Sequence, residues 1–198
     1  MQRKYAMRLG ILLATLLAVI AGCYPSENPI WTPDTLVYYP ELLGTYQDDE
    51  PATEKNTTTL EKGETEKSYH VITRDGKGEK TGEAVLHLVK LDDTLFYDYQ
   101  PSGAKLDKFE PPLKGFHIFG RLTIKDKKIT LYSFGSNVAV DEAFRWKKVR
   151  PAAAPATTRP DREDTRIIAN TTEELEAFLK ANAKKMNVPG GGFTKLRD

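Results

Sequence analysis

Short alternating apolar runs, separated by polar turn residues, fill the middle of the chain and restrict the folds that are open to it. Such runs flank Asp75-Gly76, Asp92-Asp93 and Asp126-Lys127, and Asp-Gly is a dipeptide that tolerates the positive φ angles of tight hairpins. Tight turns join antiparallel strands, whereas parallel strands need a long crossover, usually a helix. The pattern therefore predicts a mainly β fold with some α structure: an antiparallel, curved up-and-down meander that forms an open or small barrel.

Alternation also identifies the buried face of this sheet, because successive side chains of a strand point to opposite faces. Leu122 and Ile124 alternate in one run, and Ile129 and Leu131 alternate in the next. Cys23 is the only cysteine, so no intramolecular disulfide can form and the fold must be held by its core. We place this β-domain at residues 38–150.

The segments on either side of the β-domain differ from it in composition. Four prolines between residues 25 and 40 predict that residues 23–37 form an extended spacer before the domain. A short helix is expected after Val138, with Val140, Phe144 and Val149 on one side. Residues 151–165 are rich in alanine and proline and predict a linker or an exposed loop.

The C-terminal residues 166–198 combine the patterns of a strand, a helix and a tail. Arg166 to Ala169 predicts a strand, and Thr171 with Glu174 has the spacing of a helix capping box. Leu175, Phe178, Leu179 and Met186 fall on one helical stripe, which we expect to pack on the domain rather than dock another protein. The glycine-rich residues after Val188 predict a tail that ends the helix.

Residues 1–22 have the layout of an export signal, with three basic residues followed by an apolar run from Leu9. The run is shorter than the roughly 20 residues that a membrane-spanning helix needs. It ends in Ile20-Ala21-Gly22-Cys23, which resembles the lipobox of bacterial lipoproteins. The resemblance implies cleavage before Cys23, a diacylglyceryl group on its thiol, and often a further acyl chain such as palmitate on its new amino group. The alternative is a spare thiol behind an ordinary signal peptide or an uncleaved anchor.

The lipobox also carries expectations about location. Two or more acyl chains hold a protein stably on a bilayer, so acylated Cys23 would attach the chain to the membrane of the cell envelope. Residue 24 is tyrosine, not the aspartate that retains enterobacterial lipoproteins in the inner membrane. The resemblance therefore favours the outer membrane, facing the periplasm, if the source is Gram-negative.

Charge and motif content argue against several function classes, although catalytic groups can still converge from distant positions. Without residues 1–22 the chain has 26 Lys and Arg against 28 Asp and Glu, and it lacks the clustered, uncompensated basic residues that nucleic acid binding requires. Gly135-Ser136-Asn137 lacks the spacing of a nucleophile elbow, and a single cysteine cannot form a thiolate zinc site. We therefore expect no enzyme activity, no cofactor and no metal.

The three histidines leave one alternative to that expectation. His70, His87 and His117 each lie in a predicted strand, and neighbouring strands can bring two of them to metal-ligand or acid-base distance. The more common explanation is a strand histidine that is hydrogen-bonded to backbone or faces water.

Three segments resemble a group of uncharacterised bacterial lipoproteins with a lipocalin-like β-domain and a helical C-terminal end. They are Leu43-Gly44-Thr45-Tyr46, which is similar to the opening Gly-x-Trp segment of lipocalins, Glu83 to Leu91 with Leu95 to Asp98, and Thr171 to Leu179. The resemblance implies a fold, but it carries no catalytic or binding residue.

Two functions follow as expectations. The first is a non-catalytic interaction or structural lipoprotein that contacts another envelope protein; the alternative is lipocalin-like binding of a small apolar ligand. A dry, closed barrel interior would favour the first, and a cavity open at one rim would favour the second. The candidate ligand-lining residues are Tyr69, Phe96, Tyr99, Phe119 and Tyr132.

Overall fold

The fold is built mainly from β-strands, with one long helix near the C-terminus. The computed structural model describes residues 25–49, 55–102, 109–134, 140–151 and 165–197. Its helices are Val140–Ala143 and Thr172–Asn182, with short 3-10 turns at Pro40–Leu42 and Ala183–Lys185. The strands are β1 Pro25–Ser26, β2 Leu36–Val37, β3 Gly44–Asp48, β4 Thr57–Lys62, β5 Ser68–Arg74, β6 Lys80–Leu91, β7 Thr94–Pro101, β8 Phe109–Glu110, β9 His117–Lys125, β10 Lys128–Ser133, β11 Trp146–Pro151, β12 Thr165–Ile168 and β13 Val188–Arg197.

Eight of these strands close into an antiparallel barrel. The strands β3 to β7, β9 and β10 pair in chain order, and β13 closes the circle between β10 and β3. The predicted antiparallel meander is confirmed, and the result is a lipocalin-like barrel with a C-terminal helix. The remaining strands extend the wall, since β1 pairs with β9 and continues into β12, β11 and β8.

The predicted turns lie between the predicted strands. Asp126 and Lys127 join β9 to β10 with positive φ angles of 50° and 63°, the conformation of a two-residue hairpin turn. Between β5 and β6 the Oδ1 atom of Asp75 accepts hydrogen bonds from the backbone N–H groups of Lys77 and Glu79. The positive φ there is at Gly78, at 84°, and not at the Gly76 of the Asp-Gly pair.

The strand β13 corrects the prediction of a glycine-rich tail. Residues 188–197 pair along β10 on one side, with Ile129 opposite Phe193, and along β3 on the other, with Tyr46 opposite Lys195. Glycine and proline remove the alternating apolar pattern by which strands are recognised, while pairing with two neighbours stabilises the strand. The β-domain is therefore not confined to residues 38–150.

The N-terminal segment is extended, as its prolines predict, but it is packed on the barrel. Ser26 and Ile30 have no solvent-exposed surface, and β2 pairs with the end of β6. In β1, Pro25 lies opposite Ile118 of β9, and Ser26 lies opposite Ile168 of β12. The described residues of the predicted spacer thus form part of the wall.

Two of the other predictions for the C-terminal part are confirmed, and a third holds only in part. The capping box of Thr171 and Glu174 is present, and the strand predicted from Arg166 is β12. The helix after Val138 is only Val140–Ala143, and Val149 lies in β11 instead. Residues 1–24, the Gly135-Ser136-Asn137 segment and most of the predicted linker at 151–165 lie outside the described residues.

Two hydrophobic cores lie on opposite sides of the barrel wall. Neighbouring residues alternate between them, as Phe96 and Tyr97 of β7 do. The interior core includes Leu42, Tyr46, Leu60, Tyr69, Val71, Ala84, Leu88, Tyr97, Leu122 and Ile129. The outer core lies beneath the C-terminal helix and includes Ile30, Val89, Phe96, Phe119, Phe144, Ile168, Leu175, Leu179 and Met186. The predicted packing of the helical stripe on the domain is confirmed.

Gly120 of β9 leaves no space for a larger residue. A Cβ atom at this position would lie 2.7 Å from the backbone oxygen of Tyr132 and 2.7 Å from Cε1 of Tyr97. We expect Gly120→Ala to lower the free energy of unfolding by about 1 to 3 kcal/mol, measured by urea denaturation, because the wall must shift. Gly190→Ala is the matched control, since no atom lies within 4 Å of the added carbon, and a loss as large as that of Gly120→Ala would contradict this explanation.

Candidate functional site

One end of the barrel interior is sealed by the segment that precedes β3. The backbone N–H of Tyr39 donates to the hydroxyl of Tyr69 at 2.7 Å, and that hydroxyl donates to the Tyr39 carbonyl at 3.2 Å. The Tyr46 hydroxyl donates to the carbonyl of Leu42 at 2.8 Å, and the ring of Tyr38 stacks on that of Tyr69. Burial raises the pKa of Tyr69, so its hydroxyl stays protonated and remains a donor.

The interior next to this seal is filled by side chains. Tyr69 has no accessible surface, and Tyr46 and Leu88 are each 2% exposed. A side chain without accessible surface touches no space that a water molecule can enter. An eight-stranded barrel is narrow enough for side chains to fill, and three tyrosines do so here.

Four further residues that face the interior are less completely buried than these. Leu86, Tyr99, Leu131 and Phe193, which we call the Tyr99 region, pack against the interior core but remain partly exposed. Burial raises the pKa of Tyr99, which keeps its hydroxyl protonated. Among the described residues, none hydrogen-bonds to that hydroxyl. The Tyr99 region therefore combines an apolar lining with one free donor.

The five residues proposed to line a ligand site do not come together. Tyr69 and Tyr99 lie inside the barrel, whereas Phe96 and Phe119 belong to the outer core beneath the helix. Tyr132 points outward, and the guanidinium of Arg121 lies 4.1 Å from its ring centroid. Phe96 and Tyr99 are three residues apart in β7, so the two-residue period of a strand places their side chains on opposite faces.

A polar cluster lies on the outer face of the wall, beneath the N-terminal segment. Asp98 is fully buried; its Oδ1 accepts from Nδ1 of His117 at 2.7 Å, and its Oδ2 accepts from the backbone N–H of Ile30 at 2.9 Å. His87 lies directly opposite Asp98 in the pairing of β6 with β7, and the ring of Trp31 lies 4.5 Å from that of His87. We call Asp98, His117, His87 and Trp31 the Asp98 cluster.

Burial acts on the pKa values of two groups, His87 in the Asp98 cluster and Glu27 beside it. Burial lowers the pKa of His87, and the nearby His117 lowers it further, although the negative charge of Asp98 opposes both effects. Burial disfavours ionisation of Glu27, but hydrogen bonds from the Lys147 ammonium at 2.9 Å and the Lys114 backbone N–H at 3.0 Å outweigh it. The pKa of Glu27 is therefore below its usual value.

A carboxylate that orients an imidazole is also the arrangement of acid-base pairs in hydrolases. In this protein the backbone N–H of Ile30 occupies the other oxygen of Asp98, and Ser26, opposite His117 in the pairing of β1 with β9, is fully buried. The Ser26 hydroxyl accepts from the backbone N–H of Asn28. No group of three or more metal-ligating side chains occurs within the described parts of the chain. The contacts of the cluster attach the N-terminal segment to the barrel.

The structure places the three histidines in two different settings. Neighbouring strands bring His87 and His117 to the same carboxylate, whereas His70 is separate and contacts Glu61 and Glu83. Asp98 itself was not singled out from the sequence. The sequence signal for it is an acidic residue inside the aromatic run Phe96-Tyr97-Asp98-Tyr99. An aromatic run is buried, and a buried carboxylate needs hydrogen-bond partners.

The lowered pKa of His87 predicts a pH-dependent stability. Below the ordinary value of 6.5 the unfolded chain binds more protons than the folded protein, so stability falls as the pH drops through this window. We expect the free energy of unfolding to decline between about pH 7.5 and about pH 5.5. The decline should be smaller in His87→Gln, while the separate His70→Gln variant should keep it. An unchanged decline in His87→Gln would show that another group is responsible.

Comparisons with known proteins assign no relative to this chain. No protein-family model matches it, and searches of curated proteins and of solved structures also found no match. In the described ranges, neither helix is long and apolar enough to cross a bilayer. The barrel, the Asp98 cluster and the residues around Cys23 are therefore the basis for a function.

Proposed function

We propose that this protein is a lipid-anchored lipoprotein of the cell envelope, whose barrel is a non-catalytic interaction or structural module. Acylated Cys23 is its membrane anchor, and the outer membrane, facing the periplasm, is its location if the source is Gram-negative. The observation that best supports the role of the barrel is its filled interior, since Tyr69 has no accessible surface and Tyr46 and Leu88 have almost none. A barrel whose interior is filled around Tyr69, Tyr46 and Leu88 acts through its outer surface.

Cys23→Ser tests the anchor. In an enterobacterial host that is fed a clickable palmitate analogue, the wild-type chain should be labelled and sediment with membranes, and Cys23→Ser should lose both properties. Thr15→Ser, which changes the leader but keeps Ile20-Ala21-Gly22-Cys23, is the matched control. Tyr24→Asp should stay labelled and move to the inner membrane. An unlabelled wild-type chain, or label that persists in Cys23→Ser, would refute the proposed anchor.

Binding of a small apolar ligand is the second candidate, and the Tyr99 region supports it. Leu86, Leu131 and Phe193 are partly exposed apolar side chains within the interior core, and the Tyr99 hydroxyl supplies a donor beside them. A ligand site of this kind combines apolar walls with a few polar groups that set orientation. The site would lie beside the end that Tyr38 and Tyr69 seal, because Leu86 is directly opposite Tyr69 on one side and Tyr99 on the other.

Native mass spectrometry of the mature chain, produced in the periplasm, distinguishes the two candidates. Bare protein is the result expected of an interaction module, and a reproducible adduct lost on denaturation is the result expected of a ligand carrier. Leu131→Trp, which enlarges a side chain in the Tyr99 region, should abolish such an adduct. Tyr132→Trp is the matched control, since the neighbouring ring faces outward under Arg121 and should leave the adduct unchanged.

A further inference from the structure

The fold leaves almost no chain between Cys23 and the barrel wall. Ser26 is fully buried and pairs with both β9 and β12, and the backbone N–H of Ile30 is bound by Asp98. Consecutive Cα atoms are 3.8 Å apart, so the Cα atom of Cys23 lies within about 8 Å of that of Pro25. An acyl group on Cys23 would therefore hold one particular side of the barrel at the bilayer.

The pairing of β1 identifies that side. Both β1 and β10 lie along the same edge of β9, where Pro25 is opposite Ile118 and Tyr132 is opposite Arg121. Because β1 runs antiparallel to β9, its Pro25 end faces the level of Arg121, where β10 ends. The residue that carries the proposed anchor is two positions before Pro25 in the sequence.

A basic and partly apolar surface surrounds the end of β10. Ser133 pairs with Val188, which is 43% exposed, and the exposed Lys184 and Lys185 come directly before β13. The Nε atom of Arg121 donates to the Met186 carbonyl at 2.8 Å, which holds this turn against the wall. The anchor-side surface consists of Arg121, Lys180, Lys184, Lys185, Val188 and Pro189.

The C-terminal helix separates its charges along its length. Its acidic residues, Glu173, Glu174 and Glu176, lie in the first half, whereas Lys180 and the lysines that follow lie at the end near Arg121. Positive charge is thus concentrated on the side that the Pro25 end of β1 faces. Cationic side chains beside exposed apolar residues are the combination found in segments that lie at the surface of an anionic bilayer.

We propose that the anchor-side surface lies on the bilayer and that its lysines bind the phosphate groups of anionic lipids, with Val188 and Pro189 at the headgroup boundary. This inference rests on the proposed acylation of Cys23, because acylation brings the surface to the membrane. Each lysine close to an anionic surface contributes about fivefold to binding, so three lysines add substantially to the acyl anchor.

A lysine footprint on vesicles tests the orientation. Since Cys23 is the only cysteine, the mature chain can be coupled through it alone to a maleimide lipid in vesicles that contain phosphatidylglycerol. Reactivity toward a membrane-impermeant acetylating reagent is then measured by mass spectrometry. We expect Lys184 and Lys185 to react about threefold or more slowly than in the uncoupled chain. Lys125 and Lys127, in the turn at the other end of β9 and β10, are the controls and should not change.

Three results would overturn the proposal. The first is equal reactivity of Lys184, Lys185, Lys125 and Lys127, and the second is protection of Lys125 and Lys127 alone. The third is protection of Lys184 and Lys185 that is as strong on purely zwitterionic vesicles as on vesicles with phosphatidylglycerol. A double Lys184→Glu and Lys185→Glu variant should expose Lys180, whereas the matched Lys125→Glu and Lys127→Glu pair should leave its protection unchanged. Chemical coupling replaces biological acylation, so a lost palmitate label would refute the anchor alone, and a lost footprint would refute the orientation alone.

Discussion

Asp98→Ala is expected to lower the free energy of unfolding by about 3 kcal/mol, because two donors lose their acceptor. The carboxylate is fully buried and holds both the His117 ring, at 2.7 Å, and the backbone N–H of Ile30, at 2.9 Å. The second bond joins residues that are 68 positions apart and attaches the N-terminal segment to the wall. The variant should therefore also release this segment to proteolysis near Ile30.

Urea denaturation of a chain that begins at residue 23 measures this loss. Asp93→Ala, in the exposed turn between β6 and β7, is the control and should change stability by less than about 0.5 kcal/mol. Asp98→Asn keeps an oxygen acceptor for Ile30 and should lose less than the alanine variant. If Asp98→Ala were as stable as Asp93→Ala, the Asp98 cluster would not be what holds the N-terminal segment.

Phe96→Ala is expected to cost about 3 to 5 kcal/mol, because it leaves a cavity between the barrel wall and the C-terminal helix. Phe96 has no exposed surface, and it belongs to the same core as Phe119, Leu175 and Leu179. The helix is held to the wall largely through this core. We therefore expect the helix to become accessible to proteases before the barrel unfolds.

Phe96→Leu keeps most of the buried volume and provides the control, with an expected loss of about 1 kcal/mol. Both variants can be followed by thermal unfolding, with limited proteolysis as the second measurement. A loss below about 1 kcal/mol in Phe96→Ala would mean that the outer core relaxes to fill the space. Preserved resistance of the helix to proteases would show that its other contacts suffice.

Strand order was predictable from local signals, since turn residues and period-two alternation act over short stretches of chain. Asp126 and Lys127 have the positive φ angles that a two-residue hairpin needs, and the β9 to β10 hairpin formed as predicted. The capping box of Thr171 and Glu174 is equally local and is also present. In each case the residues that carry the signal are the residues that make the contacts.

The closing strand and the N-terminal segment were not predictable in this way. Residues 188–197 contain three glycines, and their strand exists because β10 and β3 pair with it from two sides. The prolines before residue 40 restrict φ only locally, and they do not report that Ile30 finds an acceptor on Asp98. Both features depend on partners that are distant in sequence.

The candidate site was likewise predictable only in part from the sequence. Strand alternation assigns Phe96 and Tyr99 to opposite faces, but only the tertiary structure decides which face is the barrel interior and which lies under the helix. The sequence by itself determined the antiparallel strands, the hairpin turns and the helix cap, because these depend on residues close together in the chain. The tertiary structure decided barrel closure, the burial of Asp98 and the side of the barrel on which β1 lies, because long-range pairing and packing bring distant residues together.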